Sequence, residues 1–108
     1  MTPEEVRAIV DGHIQTEFSG DPSRAGSHGV DLSRCLLARP ESRTYLDSFA
    51  GNRPVPLWLV LEEDPVSHSG YQIVFDELRG DFGLAVPGSE FAVLIGYYGT
   101  FVDTLESM

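Results

Sequence analysis

The stretch from Leu57 to Phe101 constrains the fold more tightly than any other part of this chain. It reads as four apolar runs, LWLVLEED, YQIVFDE, FGLAVPGSE and FAVLIGYYGTF, separated by short segments rich in Gly, Pro, Ser and Asp. Such punctuation favours tight turns, so consecutive runs pair as antiparallel neighbours. The second run alternates, with Tyr71, Ile73 and Phe75 on one face and Gln72, Val74 and Asp76 on the other. The third sets Phe82, Leu84 and Val86 against Gly83 and Ala85. The first, Leu57–Leu61, and the fourth, Phe91–Tyr98, are apolar on both faces and must be covered on both.

The flanks supply the cover. Thr2 is placed to cap a helix, Pro3 suits its first position, and Glu5 completes a capping box. Val6, Ile9, Val10, Ile14 and Phe18 recur at helical spacing, Gly12 interrupts the run, and Ser19-Gly20-Asp21-Pro22 ends it. Residues 30–49 carry both helical and extended signals. Pro40 tips the balance toward an edge strand over roughly 33–47, because an edge tolerates its missing N–H. Thr100 is placed to cap a short last helix, with Phe101, Leu105 and Met108 on one face. The expectation is a single α+β domain over residues 1–108. An antiparallel β-meander of four to five strands would carry the N-terminal amphipathic helix, with a short C-terminal helix following it.

Charge narrows the partners. Seventeen acids face seven bases, all of them Arg, for a formal charge of −10. Residues 1–54 hold eight acids and six Arg, whereas residues 55–108 hold nine acids and Arg79 alone. The second half therefore projects a field that repels phosphate backbones and attracts basic surfaces, which argues against nucleic-acid binding. An acidic surface that only keeps a small protein soluble has the same composition. The longest uncharged stretch, Phe91–Val102, is too short for a bilayer span and contains two Gly. Cys35 is the single cysteine, and MTPEEVRAIV has neither a basic leader nor an apolar core, so a cytoplasmic protein is expected.

No catalytic constellation stands out. Glu62 and Asp64 share strand parity and superficially suit paired carboxylates, but nothing else builds a substrate cleft around them. The loop DPVSHSG offers Asp64 and His68 without the alternating acids of a calcium loop. GSHG lacks the Lys of a phosphate cradle, Cys35 has no partnering base, and His13 borders the helix stripe as a packing residue would. His28 falls in the polar loop. No enzymatic activity, metal or cofactor is expected.

The acids have another use. Glu62, Glu63 and Asp64 end one strand, while Asp76, Glu77 and Asp81 surround a turn at the far end of its neighbour. Trp58, Tyr71, Tyr97 and Tyr98 lie among them, and Tyr97 and Tyr98 point to opposite faces, so at most one is core. Acids on rigid strand ends beside an exposed phenol, Tyr98, suit the capture of a basic protein. In size, acidity and lack of catalytic motifs the chain resembles small acidic bacterial immunity proteins. That resemblance implies a non-enzymatic module that binds and inhibits a basic partner such as a toxin. Two rival readings stand beside it: a self-associating homodimer, whose second copy covers the two-sided strands, and a small-ligand-binding domain with a pocket between helix and sheet.

Overall fold

A computed structural model of the protein describes residues 1–18 and 30–108. The segment holding GSHG and His28 lies outside the described residues. The described order is α1 (Pro3–Glu17), α2 (Leu32–Cys35), β1 (Leu36–Asp47), a 3-10 turn (Ser48–Ala50), β2 (Arg53–Glu62), β3 (Gln72–Asp76), β4 (Asp81–Val86), β5 (Ala92–Gly99) and α3 (Phe101–Glu106). No helix among the described residues is long and apolar enough to cross a membrane.

Consecutive strands pair antiparallel, as the turns predict, but the sheet is not an open meander. It closes into a five-stranded barrel through a short seam between β1 and β5, pairing Tyr45 with Ala92, Leu46 with Val93 and Asp47 with Leu94. The seam is parallel because the number of strands is odd: in an up-and-down series the first and fifth strands run the same way. Closure also corrects the expected edge strand. Residues 32–35 form a helical turn capped by Asp31, and the strand that follows lies between β2 and β5 at its C-terminal end. Pro40 is accommodated where the register of β1 against β2 shifts between Leu36 and Glu41. Arg7 of α1 donates to the Leu37 carbonyl there at 2.8 Å.

The wall of the barrel has two apolar faces. Tyr45, Leu57, Val74, Ala85 and Leu94, one from each strand, form a cluster with no helical member. Five strands enclose too narrow a space for a helix, so this set fills the interior. The opposite face is larger. Val60, Leu61, Ile73, Phe75, Phe82 and Leu84 pack under α1, through Val6, Val10 and Ile14, and under α3, through Phe101 and Leu105. Phe82 lies between Phe75 and Phe101, with ring centroids 5.0 and 5.6 Å away.

A register shift explains the unbroken apolar run of β2. Leu59 pairs with Val74 on the interior side, yet Leu61 pairs with Ile73 on the outer side, leaving Val60 as the extra residue. Both faces of β2 are thus buried within the chain itself. Gly83 has a steric reason too: a Cβ there would meet the Gly96 carbonyl oxygen at 2.9 Å, where β4 and β5 approach closely.

Both terminal caps form as expected. Thr2 and Glu5 make the reciprocal capping box of α1, and the Thr100 hydroxyl accepts from the Asp103 N–H at 3.1 Å. His13 and Glu17 tie these helices together. His13 Nδ1 lies 3.0 Å from Glu17 Oε1, and Glu17 Oε2 accepts the Val102 N–H at 2.9 Å. The imidazole stands edge-on to Phe82 at 4.8 Å, which gives it a packing role.

Candidate functional site

The two groups of acids emerge at opposite ends of β3. Glu62 pairs with Gln72 at its start, and Asp76 pairs with Asp81 at its finish. Their local settings differ.

At the first end, each carboxylate is committed to the β2–β3 loop. Glu62 is only 6% exposed, and His68 Nδ1 sits 2.9 and 3.1 Å from its two oxygens. His68 reaches it from a left-handed backbone, with φ 59°. Glu63 accepts the Tyr71 N–H, and its carbonyl takes the Cys35 thiol at 3.5 Å. Burial pushes that thiol up in pKa, the opposite of an activated nucleophile. Asp64 accepts the N–H groups of Val66 and Ser67, and the bonds from Ser67 hold its carboxyl below the usual range. Asp64 thus caps a turn while Glu62 faces His68. Among the described residues, no three His, Cys, Asp or Glu side chains converge as a metal site would require.

At the second end, the acids build a rigid tip. Asp76 accepts the N–H groups of Leu78 and Arg79 at 3.0 and 3.2 Å, fixing the β3–β4 turn as an Asx turn. Gly80 completes it with φ 70°, its N–H donating to the Asp76 carbonyl. The second Asp76 oxygen takes the Tyr97 hydroxyl at 2.7 Å. Arg79 stacks 4.0 Å over the Tyr97 ring and reaches Asp81 at 3.5 Å. Burial, with Asp76 beside it, pushes the Tyr97 phenol up. Glu77 accepts from Trp58 Nε1 at 3.0 Å and lies 3.3 Å from the N-terminal ammonium, and these donors hold its carboxyl below the usual range.

The tip of this turn is Leu78, 91% exposed. Sequence reasoning took the acids around it and missed the leucine. The readable signal was one apolar residue inside the otherwise polar turn DELRGD. Tyr97 and Tyr98 divide as expected: Tyr97 packs against the interior cluster, whereas Tyr98 is exposed on the other side of β5. Trp58 is half-buried against the outer core and positions Glu77.

No protein-family model matches the chain, and neither a curated protein nor a solved structure shows detectable similarity to it.

Proposed function

We propose that the protein is a non-enzymatic acidic interaction module that binds a basic protein and inhibits it, in the manner of an immunity protein facing its toxin. One observation carries the reading: Leu78 stands almost fully exposed on a turn fixed by Asp76, framed by Glu77 and Asp81. A pre-ordered apolar tip loses little conformational entropy on docking, and its acidic frame steers it toward a positively charged pocket. Glu63 and Asp64 extend the field at the other end of β3, and Tyr98 adds an aromatic contact on the barrel flank. Glu62, buried against His68, contributes to the field more than to contact. The free, buried Cys35 suits a reducing, cytoplasmic setting in a bacterial host.

The test compares wild type with an E77Q/L78A/D81N variant as bait in host lysate at low and moderate salt. The reading expects one basic protein, retained by wild type at low salt, weakened by added salt and lost from the variant. Equal retention by the variant, or no basic protein on wild type at low salt, overturns it.

A further inference from the structure

Beside the parallel seam that closes the barrel lies a cavity of about 300 Å³, lined by Arg43, Tyr45, Gln72, Glu90, Phe91 and Ala92. It lies at the Gln72 end of β3, away from the Leu78 tip. Its floor holds a polar group with unused capacity. Gln72 is only 5% exposed, and its Oε1 accepts the Tyr45 hydroxyl at 2.8 Å. Its amide nitrogen has no protein partner among the described residues. No fully enclosed side-chain polar atom among them lacks a partner, so that nitrogen is not sealed in packed protein, and Gln72 lines the cavity. A carboxamide with two free donors at the base of a cavity favours an acceptor oxygen on whatever enters.

The rim is charged on both signs. Arg43 bonds Glu41 through one nitrogen, which leaves most of its five N–H donors available. Glu90 has no hydrogen-bond or ion-pair partner among the described residues. Phe91 supplies apolar wall, while Tyr45, fully buried in the barrel interior, holds Gln72 from behind. A purely anionic ligand would meet Glu90 and the negative field of the whole protein. A purely cationic one would meet Arg43 and leave the Gln72 donors unused. A ligand carrying both charges uses every group. The volume is at the lower end of the range for small-molecule sites, about 300–1,000 Å³, so the ligand is small.

We infer that this cavity binds a small zwitterion of the α-amino acid class. Gln72 and Arg43 take the carboxylate, Glu90 takes the ammonium, and Phe91 packs against the side chain.

The test is thermal-shift screening of the whole protein against the twenty free amino acids, followed by calorimetry of the best. Its N-acetyl and C-amide derivatives, each lacking one charge, serve as probes. At least one free amino acid should bind, and both derivatives should bind about tenfold or more weakly. E90Q and R43Q alter rim side chains, so both variants should fold, as circular dichroism would verify. Each should weaken binding by a similar factor. No binding at up to about 10 mM overturns the inference. So does an N-acetyl derivative that binds equally, which would mark a simple anion site, or a C-amide that does, marking a simple cation site. Unchanged affinity in both variants overturns it as well.

Discussion

The Tyr97 hydroxyl donates to Asp76 across the β3–β4 turn at 2.7 Å, although the two residues are 21 positions apart. This bond joins the last strand to the turn that presents Leu78. Asp76 also receives the Leu78 and Arg79 N–H groups, so one carboxylate orders the turn from inside and anchors it from outside. Tyr97→Phe should lower stability by about 1–2 kcal/mol, the range for a hydrogen bond to a charged group that is partly exposed. Chemical denaturation measures that loss. Hydrogen exchange at Leu78 and Arg79 should quicken as well, because the turn loses its outer tether; unchanged exchange would mean that the Asx turn suffices.

Glu62 and His68 make a second test. The carboxylate is buried and the imidazole is its only side-chain partner among the described residues. His68→Ala removes that partner and leaves the left-handed backbone at φ 59° as it was. The expected cost is about 1–3 kcal/mol, the range for a buried acceptor left without its partner. The double variant with Glu62→Gln should recover part of it in the same denaturation assay, whereas His68→Ala alone with no effect would show that water serves Glu62 equally well.

Gly12 is a weak point of α1 that the packing does not require. A Cβ at that position meets nothing within 4 Å, and the helix runs through it without a break. Gly12→Ala should therefore stabilise the protein by roughly 0.5–1 kcal/mol, read as a higher denaturation midpoint. A lower midpoint would mean that the open space beside Gly12 is used.

Acid should lower the stability of the protein. Glu5, held down by its capping bond to Thr2, and Asp31, Asp64 and Glu77, held down by Ser33, Ser67 and Trp58, all have lowered pKa values when folded. Below the ordinary values of 4.5 for Glu and 3.8 for Asp, the unfolded chain takes up protons that the folded one resists. Their stabilisation is complete above that window and disappears as pH falls through the folded values. Urea midpoints at pH 5 and pH 3 check the direction: the midpoint should fall on acidification, and a rise would show that relief of the −10 self-repulsion dominates.

Much of the fold was legible because its signals are local. Thr2, Pro3 and Glu5 announced α1, Thr100 announced α3, and the turn residues set three antiparallel pairings in order. Closure was not legible. It depends on Tyr45 finding Ala92 and Asp47 finding Leu94, contacts 47 residues apart with no turn between them to mark the pairing. The shift at Val60 was hidden for a related reason, since a run of five apolar residues reads the same whether a sheet is covered on both sides or an extra residue changes face. The acids were found by charge alone. Which of them bond to the protein's own groups, as Glu62 does to His68, depends on loop geometry that composition does not encode.

The central claim is that the Leu78 tip and its carboxylates capture a basic partner, and stopped-flow association with the retained protein tests it most directly. The account predicts that the association rate of wild type falls by about tenfold or more as ionic strength rises from low to physiological, while dissociation changes little. In E77Q/D81N the salt dependence should flatten, and L78A should quicken dissociation instead. An association rate indifferent to salt, or identical in wild type and the charge variant, would contradict it.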